Sequence, residues 1–294
     1  MNVPTVIPRM SVPAVRRPQV PAVASSLTKH LVLIVAGGLV AYPFYFMVSS
    51  SLKPFFEATL VPPTLWPHEV RLENYQEVWN KAPWARYFAN TLLVAGSNTL
   101  GELVTSVLAA YAFAWMNFKG RAALFALLLA TYMMPGEATL IPNFVIVSKR
   151  YLNLYDTYWV QILPFLATAF SIFLLRQQFL SVPRELYDAA IIDGAGHLRF
   201  LWSVVLPVSV PALVTVSIIA FYGSWNAFQW PLIVTSTPDI RPIQVGLNAF
   251  RAEAGSSYHL LMAAASFVVA PIVLLYLVGQ RYLVQGVART GIRG

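Results

Sequence analysis

Two carboxylates lie within long apolar stretches of the chain, where a charged side chain needs a compensating partner. They belong to Glu102 and Glu137, and a charge at the centre of a membrane helix costs about 2.5–3.5 kcal/mol on insertion scales. Because such groups generally face a cavity or a partner group, both are candidates for the path of a substrate through the protein. Trp225 beside Asn226 is a further candidate, since an aromatic face next to an amide suits a hydroxyl-rich ligand.

Each of these four residues also has a purely structural explanation. Glu137 follows a Pro-Gly break and is placed to cap backbone N–H groups that the break leaves free. Glu102 can form hydrogen bonds within a helix bundle or face a partner subunit. Packing inside the bundle accounts equally well for Trp225 and Asn226, so the sequence alone leaves these alternatives open.

A polar island, residues 181–203, separates two apolar blocks of the chain. The candidate functional residues within the island are charged or small: Arg184, Glu185, Asp188, Ala189, Ala190, Asp193 and Gly194. Two more candidates, Leu206 and Pro207, follow just beyond it. A proline suits the first turn of a helix, acidic side chains suit its N-terminal dipole, and a glycine ends it in the left-handed conformation. The pattern predicts a short helix from Pro183 to Asp193 and a sharp reversal. A second helical segment is expected to start near His197, which is interpreted as solvent-exposed, and to enter the membrane at Pro207.

The short helix is predicted to have an acidic polar face, which favours contact with a soluble partner over contact with lipid headgroups. A connector that merely rests on lipid headgroups favours basic residues on that face. The two small side chains at Ala189 and Ala190 allow another surface to approach closely. We therefore interpret the island as a docking surface through which a soluble partner passes force to membrane helices.

The composition indicates an all-α protein embedded in a lipid bilayer. Hydrophobic residues make up 57% of the 294 residues and charged ones 11%, against about 25% charged in a soluble domain. Residues 31–52, 157–175, 200–238 and 254–280 carry no charge, and a membrane span needs about 20 apolar residues. Two further stretches, about 87–116 and 122–147, contain one carboxylate each, so six transmembrane helices are predicted. The third of these is expected to kink at its Pro-Gly pair.

The charges predict the domain organisation and the orientation. We expect a disordered, proline-rich tail (1–27), a transmembrane domain (28–283) and a short basic tail (284–294). If both termini are cytoplasmic, the inner segments hold twelve basic and three acidic residues, and the outer segments hold eight and seven. This arrangement satisfies the positive-inside rule. The net charge of +8 therefore reflects membrane topology, and no nucleic-acid partner is predicted.

The residue types exclude several kinds of chemistry. The absence of cysteine rules out disulfides and thiolate chemistry. No phosphate-binding G-x-x-x-x-G-K-[ST] motif occurs, and no set of metal ligands or nucleophile–base pair stands out. We predict no catalytic residue, no metal and no resident cofactor, which disfavours an integral membrane enzyme.

The island resembles the cytoplasmic EAA loop of binding-protein-dependent ABC importer permeases, whose pattern is E-A-A-x-x-x-G and, after nine residues, I-x-L-P. This chain has Asp188-Ala189-Ala190, Gly194 and then Val204-x-Leu206-Pro207, with aspartate in place of glutamate and valine in place of isoleucine. Stretches such as 51–54, 118–121 and 134–137 are also similar to the carbohydrate branch, especially to the second, six-helix permease of maltose, multiple-sugar and glycerol-3-phosphate importers. The resemblance covers about residues 28–294.

The resemblance implies a type I ABC importer permease fold in a bacterial inner membrane, with several partners. These are a second, homologous permease, two cytoplasmic ATPase subunits that bind ATP and Mg²⁺, and an extracytoplasmic solute-binding protein. The island is then expected to dock on one ATPase, with Asp188 anchoring the contact and Glu185 close by. Closure of the ATPases would tilt helices four and five.

The expected function is therefore ATP-driven import of a sugar, an oligosaccharide or a glycerol-phosphate-type solute. One alternative within the same family is a permease for a peptide, an osmolyte or another small solute. A second alternative is an ion-coupled secondary transporter, but paired broken helices in two related halves are not evident in the sequence.

Overall fold

The computed structural model describes residues 22–254 and 257–291, and every regular element within these ranges is helical. The helices, in chain order, are α1 (Ala22–Ser51), α2 (Phe55–Ala58), α3 (Glu73–Lys81), α4 (Trp84–Trp115), α5 (Arg121–Tyr132), α6 (Gly136–Val147), α7 (Tyr158–Ile162), α8 (Ala169–Leu180), α9 (Arg184–Ile192), α10 (His197–Phe200), α11 (Leu206–Val208), α12 (Val210–Trp225), α13 (Gln229–Val234), α14 (Ile243–Ala254) and α15 (Tyr258–Gly291). A 3₁₀ turn, Leu163–Phe165, follows α7, and a π-helical turn, Leu201–Val205, joins α10 to α11. Residues 1–21 of the predicted N-terminal tail (1–27) lie outside the described residues, and the remaining residues of that tail belong to α1.

Three helical segments are long and apolar enough to cross a membrane by themselves: Thr28–Ser51, Trp84–Trp115 and Tyr258–Gln280. Three further candidates are bent pairs, namely Arg121–Tyr132 with Gly136–Val147, Tyr158–Phe165 with Ala169–Leu180, and His197–Val208 with Val210–Trp225. The described residues therefore contain between three and six candidate spans.

Local chemistry explains each of the three breaks. The kink predicted in the third segment is confirmed, because Pro135 is extended (φ −64°, ψ 132°) and α6 leaves α5 at 97°. The continuous helix predicted over about 157–180 is instead bent by 41°, and α8 restarts at Thr168, whose hydroxyl accepts from the Ser171 N–H at 3.4 Å. An 81° bend precedes α12, where Pro211 has no N–H with which to continue the preceding helix.

Helix α4 lies at the centre of the unit formed by residues 47–294, where it packs against both α8 and α12. Two apolar cores lie along it. Core A joins the end of α4 to α8, α10 and α12 through eleven buried residues: Val107, Ala110, Tyr111, Ala114, Leu175, Phe179, Phe200, Leu201, Val205, Ala212 and Val216. Core B joins the start of α4 to α3, α12, α14 and α15 through ten: Val78, Trp84, Tyr87, Trp225, Ile243, Phe250, Leu260, Ala263, Ala264 and Val268.

The outward faces of the long helices are apolar. On α4, Leu100 is 67% exposed, and on α15 Val278 is 72% exposed. In the separate unit of residues 1–46, described from Ala22, α1 likewise exposes Leu31 and Leu39. Such continuous apolar surfaces are unusual on a soluble monomer and suit contact with lipid, where the helix satisfies its own backbone hydrogen bonds.

A close approach of α14 to α4 generates a stability prediction. A Cβ at Gly246 would lie 2.9 Å from Cγ of the buried Tyr87 ring and still closer to the ring edge. Gly246→Ala is therefore expected to destabilise the protein by about 1–3 kcal/mol, as overpacking generally does. Apparent thermal unfolding midpoints in detergent measure this effect. Gly223→Ala is the matched control, because a Cβ there meets no atom within 4 Å; equal midpoints for the two variants would contradict the close packing.

Candidate functional site

The predicted island helix exists as α9, and its end has the geometry that the glycine predicts. Gly194 adopts φ +76°, and its N–H donates to the Ile191 carbonyl at 3.0 Å. The Ala195 N–H donates to the Ala190 carbonyl at 2.8 Å. These two bonds form a Schellman motif, which ends the helix and reverses the chain toward α10.

Helix α9 presents one face to the protein and the opposite face to its surroundings. Tyr187 and Ala190 are half-buried and pack against core A. Three and four residues apart on the other face lie the exposed residues Glu185, Asp188, Ala189 and Ile192. Arg184 and Asp193, at the two ends of the helix, are exposed as well. The exposed face therefore combines carboxylates with apolar surface, including an Ile192 side chain that is 86% exposed.

An aromatic cluster holds α9 against the bundle. The Tyr187 ring lies 5.2 Å from Trp115 at the end of α4 and 5.0 Å from Phe200 in α10, measured between ring centroids. The Trp115 indole N–H donates to the Phe179 carbonyl at 3.2 Å, which ties α4 to α8 at the same place. Aromatic pairs of this kind contribute about 0.5–1.5 kcal/mol each beyond area burial. Sequence reasoning missed this cluster, because its members come from separate segments.

His197 is exposed, as predicted, but it also takes part in this cluster. Its Nδ1 lies 3.0 Å from the Tyr111 hydroxyl, and its ring stacks on Tyr187 at 6.1 Å. The two further predicted residues, Leu206 and Pro207, are in α11, just before the 81° bend. Leu206 packs against core A. The segment after α9 is therefore joined to α12 both through the chain and through this core.

A cavity of about 670 Å³ lies between the two cores. Its residues on α4 fall between positions 91 and 102, with core B before them and core A after them. On α12 the cavity residues fall between positions 219 and 224, with core A before them and core B after them. This order is the reverse of that on α4, because the two helices run antiparallel. The volume is within the range of about 300–1,000 Å³ that is typical of small-molecule sites.

Glu102 is the predicted ligand residue that lines this cavity. Its carboxylate is buried, and Oε1 accepts hydrogen bonds from Thr168 and Ser171, both at 2.5 Å. Because the chain breaks at Thr168, both hydroxyls at the start of α8 lie beside the carboxylate. These bonds offset part of the cost of burying a polar group.

The other three predicted ligand residues lie elsewhere, and their contact with a ligand stays a prediction. Glu137 is exposed in the first turn of α6 and is not part of the cavity lining. Trp225 is buried in core B, where its indole N–H donates to the Val268 carbonyl at 3.2 Å. Asn226 follows α12 and donates to the Tyr222 carbonyl at 2.9 Å.

The loop of residues 235–242 is fastened beside the cavity by hydrogen bonds to its backbone. The Asn90 side chain donates to the carbonyls of Asp239 and Arg241, both at 2.9 Å. The Asp156 carboxylate accepts from the N–H groups of Ser236 at 2.7 Å and Thr237 at 3.1 Å. Burial raises the pKa of Asp156, but the hydrogen bonds from these N–H groups lower it by a larger amount. The pKa of Asp156 therefore lies below its usual value.

The all-helical fold, its apolar outer faces and its candidate membrane spans indicate a membrane-embedded protein. Residues 102–289 match the family model described as "Binding-protein-dependent transport system inner membrane component". The chain belongs to this family. It is the permease component of an ABC transporter in the inner membrane, and ATP hydrolysis belongs to separate subunits.

Two curated relatives align with most of the chain. The probable ABC transporter permease protein YurM of Bacillus subtilis is 34% identical over 260 residues, which cover 87% of this chain and 84% of the relative. The sn-glycerol-3-phosphate transport system permease protein UgpE of Yersinia pestis is 34% identical over 271 residues, covering 87% and 94%.

Solved structures show the same fold. A bacterial ABC transporter involved in the import of the acidic polysaccharide alginate has a chain that aligns with a TM-score of 0.77 at 23% identity, covering 88% of this chain and 96% of that one. A chain of an alginate ABC transporter in complex with an alginate pentasaccharide-bound periplasmic protein aligns with a TM-score of 0.62 at 14% identity, covering 87% and 93%.

The contacts of the aromatic cluster predict how readily α9 opens locally from the bundle. Tyr187→Ala removes the ring contacts to Trp115, Phe200 and His197, whereas Tyr187→Phe keeps them. We expect amide hydrogen exchange over residues 184–195 to be roughly tenfold faster in the alanine variant, because local opening is governed by the lost contact energy. Exchange in the phenylalanine variant should match wild type. Similar exchange in both variants would show that the cluster does not hold the helix.

The low pKa of Asp156 predicts a pH dependence of stability. A carboxyl group whose pKa is lowered by folding stabilises the protein above its unfolded-state pKa of about 3.9, and this contribution is lost as the pH falls through the folded-state value. Asp156→Asn should therefore lower the apparent thermal midpoint at pH 7, with a loss of about 1 kcal/mol, and the difference from wild type should shrink toward acid pH. Asp239→Asn is the control, since the backbone carbonyl of Asp239 makes the contacts to Asn90 and Arg86. A difference for Asp156→Asn that is independent of pH would contradict this role.

Proposed function

We propose that this chain is one of two permease subunits of an ABC importer for a sugar, an oligosaccharide or a glycerol-phosphate-type solute. Support for the solute class comes from the relatives, one of which is a glycerol-3-phosphate permease, while the matching solved structures are alginate importers. Three apolar helices and three bent pairs support six spans. The twelve basic residues assigned to the inner segments support cytoplasmic termini.

The partners in this proposal are a second, related permease, two ATPase subunits and an extracytoplasmic solute-binding protein. ATP and Mg²⁺ are bound by the ATPases, and this chain holds no cofactor of its own. A periplasmic protein is present in one of the matching alginate transporter structures, which supports the last of these partners.

The exposed face of α9 is the observation that carries the mechanism. A partner can contact the exposed side chains Glu185, Asp188 and Ile192, while Tyr187 on the opposite face packs against the end of α4 and against α10. An ATPase subunit that binds the exposed face therefore moves a helix that is packed against the bundle. The force then reaches α4 through the aromatic cluster and α12 through core A and the bend before it.

The same geometry relates this movement to the cavity. Core A adjoins the cavity on both α4 and α12, so a displacement of core A alters the distance between the two cavity walls. We propose that the cavity belongs to the solute path and that it changes its accessible side as the ATPases close and open. Of the four predicted ligand residues, this proposal retains Glu102.

The proposal is tested by ATP-driven uptake in proteoliposomes that contain the complete complex and the cognate binding protein. Gly194→Pro should abolish uptake, because proline cannot adopt φ +76° and cannot donate to the Ile191 carbonyl. Asp188→Arg should do the same by reversing the charge of the docking face. Both variants should still be present in the membrane.

Glu69→Arg is the matched control, because it reverses an exposed carboxylate in the segment between α2 and α3. It should transport normally. Normal uptake by Gly194→Pro and Asp188→Arg would refute the role of α9, and uptake driven by an ion gradient without ATP would refute the importer itself.

A further inference from the structure

The cavity offers hydrogen-bond acceptors to whatever enters it. Both hydroxyl groups that contact Glu102 donate to Oε1, and the second oxygen, Oε2, accepts no hydrogen bond from the described residues. Two more acceptors are buried in the lining without a donor: Asn98 Oδ1 and Gln161 Oε1. Asn98 is 4% exposed and Gln161 is 1% exposed.

The orientation of the two amides is set by the bonds that their NH₂ groups make. Asn98 Nδ2 donates to the Gln161 carbonyl at 3.2 Å and to Ser224 Oγ at 3.0 Å. Gln161 Nε2 donates to the Ile240 carbonyl at 3.1 Å. A carbonyl only accepts, so the nitrogen of each amide must face it, and each amide oxygen is left without a donor among the described residues. A buried acceptor without a donor costs free energy until one arrives.

The remaining wall is apolar and aromatic. Tyr132 and Phe170 stack at 6.0 Å between ring centroids and both line the cavity, together with Phe165 and Trp230. No lysine, arginine or histidine is present among the described residues that line it. The lining therefore offers flat apolar surfaces and acceptor oxygens, but no cation to neutralise an anionic ligand.

We propose that this cavity takes a neutral, hydroxyl-rich solute and that Glu102 is the residue that excludes anions. A hydroxyl group of a neutral sugar supplies the donor that Glu102 Oε2 lacks, and the C–H faces of the sugar suit the aromatic wall. The anionic group of a phosphate ester or a uronate adds negative charge beside the Glu102 carboxylate, and the described lining has no cation to neutralise it. This inference rests on the proposed function and narrows it, because it sets this chain apart from its glycerol-3-phosphate and alginate relatives.

The charge selectivity of the cavity is measurable without knowing the solute. The chain has no cysteine, so a single thiol can be placed at Gly223, which lines the cavity and has room for a side chain. The purified complex in nanodiscs is treated with methanethiosulfonates that carry a neutral hydroxyethyl or an anionic sulfonatoethyl group. Modification of this subunit is followed by mass spectrometry, and each rate is divided by the rate at Val61→Cys, a position that is 93% exposed.

The anionic reagent is expected to react with Gly223→Cys at least about tenfold more slowly than the neutral one. The reason is that the Glu102 carboxylate repels the sulfonate group of the reagent inside the cavity. Glu102→Gln keeps an acceptor for Thr168 and Ser171 and should bring the two rates to within about twofold of each other. Glu102→Asp should retain the difference. Glu137→Gln, which removes a carboxylate outside the cavity lining, should retain it too.

Equal rates for the two reagents in the native background would overturn the proposal. A lack of reaction with either reagent in every nucleotide state would also overturn it, because a partner helix would then fill the cavity. In proteoliposomes, the native complex should import a neutral sugar and not glycerol 3-phosphate or galacturonate. Import of one of these charged solutes refutes this inference alone, whereas absence of any ATP-driven uptake refutes the proposed function.

Discussion

The packing of Tyr187 between Trp115 and Phe200 is the interaction on which the functional architecture depends. Without it, α9 would be held only by its two chain connections and by the small side chain of Ala190. With it, the side of α9 opposite Asp188 becomes part of core A, which also includes parts of α4, α8 and α12. A helix that a partner can grip is thereby fastened to the three elements that also line the cavity.

The placement of polar groups follows from the same layout. Two apolar cores close the ends of the cavity, and the polar side chains between them lie on segments that the chain breaks have positioned. The break at Thr168 brings two hydroxyl groups to Glu102, and the loop before α14 supplies the carbonyl that orients Gln161. These bonds use the hydroxyl groups of Thr168 and Ser171 and leave Glu102 Oε2 without a donor. The proposed selection against anions rests on this carboxylate oxygen.

Sequence reasoning identified the parts whose causes are local. The α9 helix and its left-handed glycine, the kink at Pro135 and the apolar segments all follow from signals within a few residues of each other. The break at Thr168 was missed, although a threonine three residues before Ser171 is a recognisable cap. The bend before α12 lies between Pro207 and Pro211 and had a visible signal as well.

The parts that sequence reasoning did not find depend on distant contacts. Asn98 and Gln161 carry no charge and drew no attention within apolar stretches, and their pairing spans 63 residues of chain. Trp225 suggested a ligand, but its indole bonds to Val268, 43 residues away, and that partner decides its burial.

The most direct test of the account is the rate at which Gly223→Cys reacts with the neutral reagent, compared between nucleotide-free complex and complex trapped with ATP and vanadate. A severalfold change between these states is expected, and it should disappear when Asp188→Arg is added. A change that persists in Asp188→Arg, or no change in the native background, would contradict it.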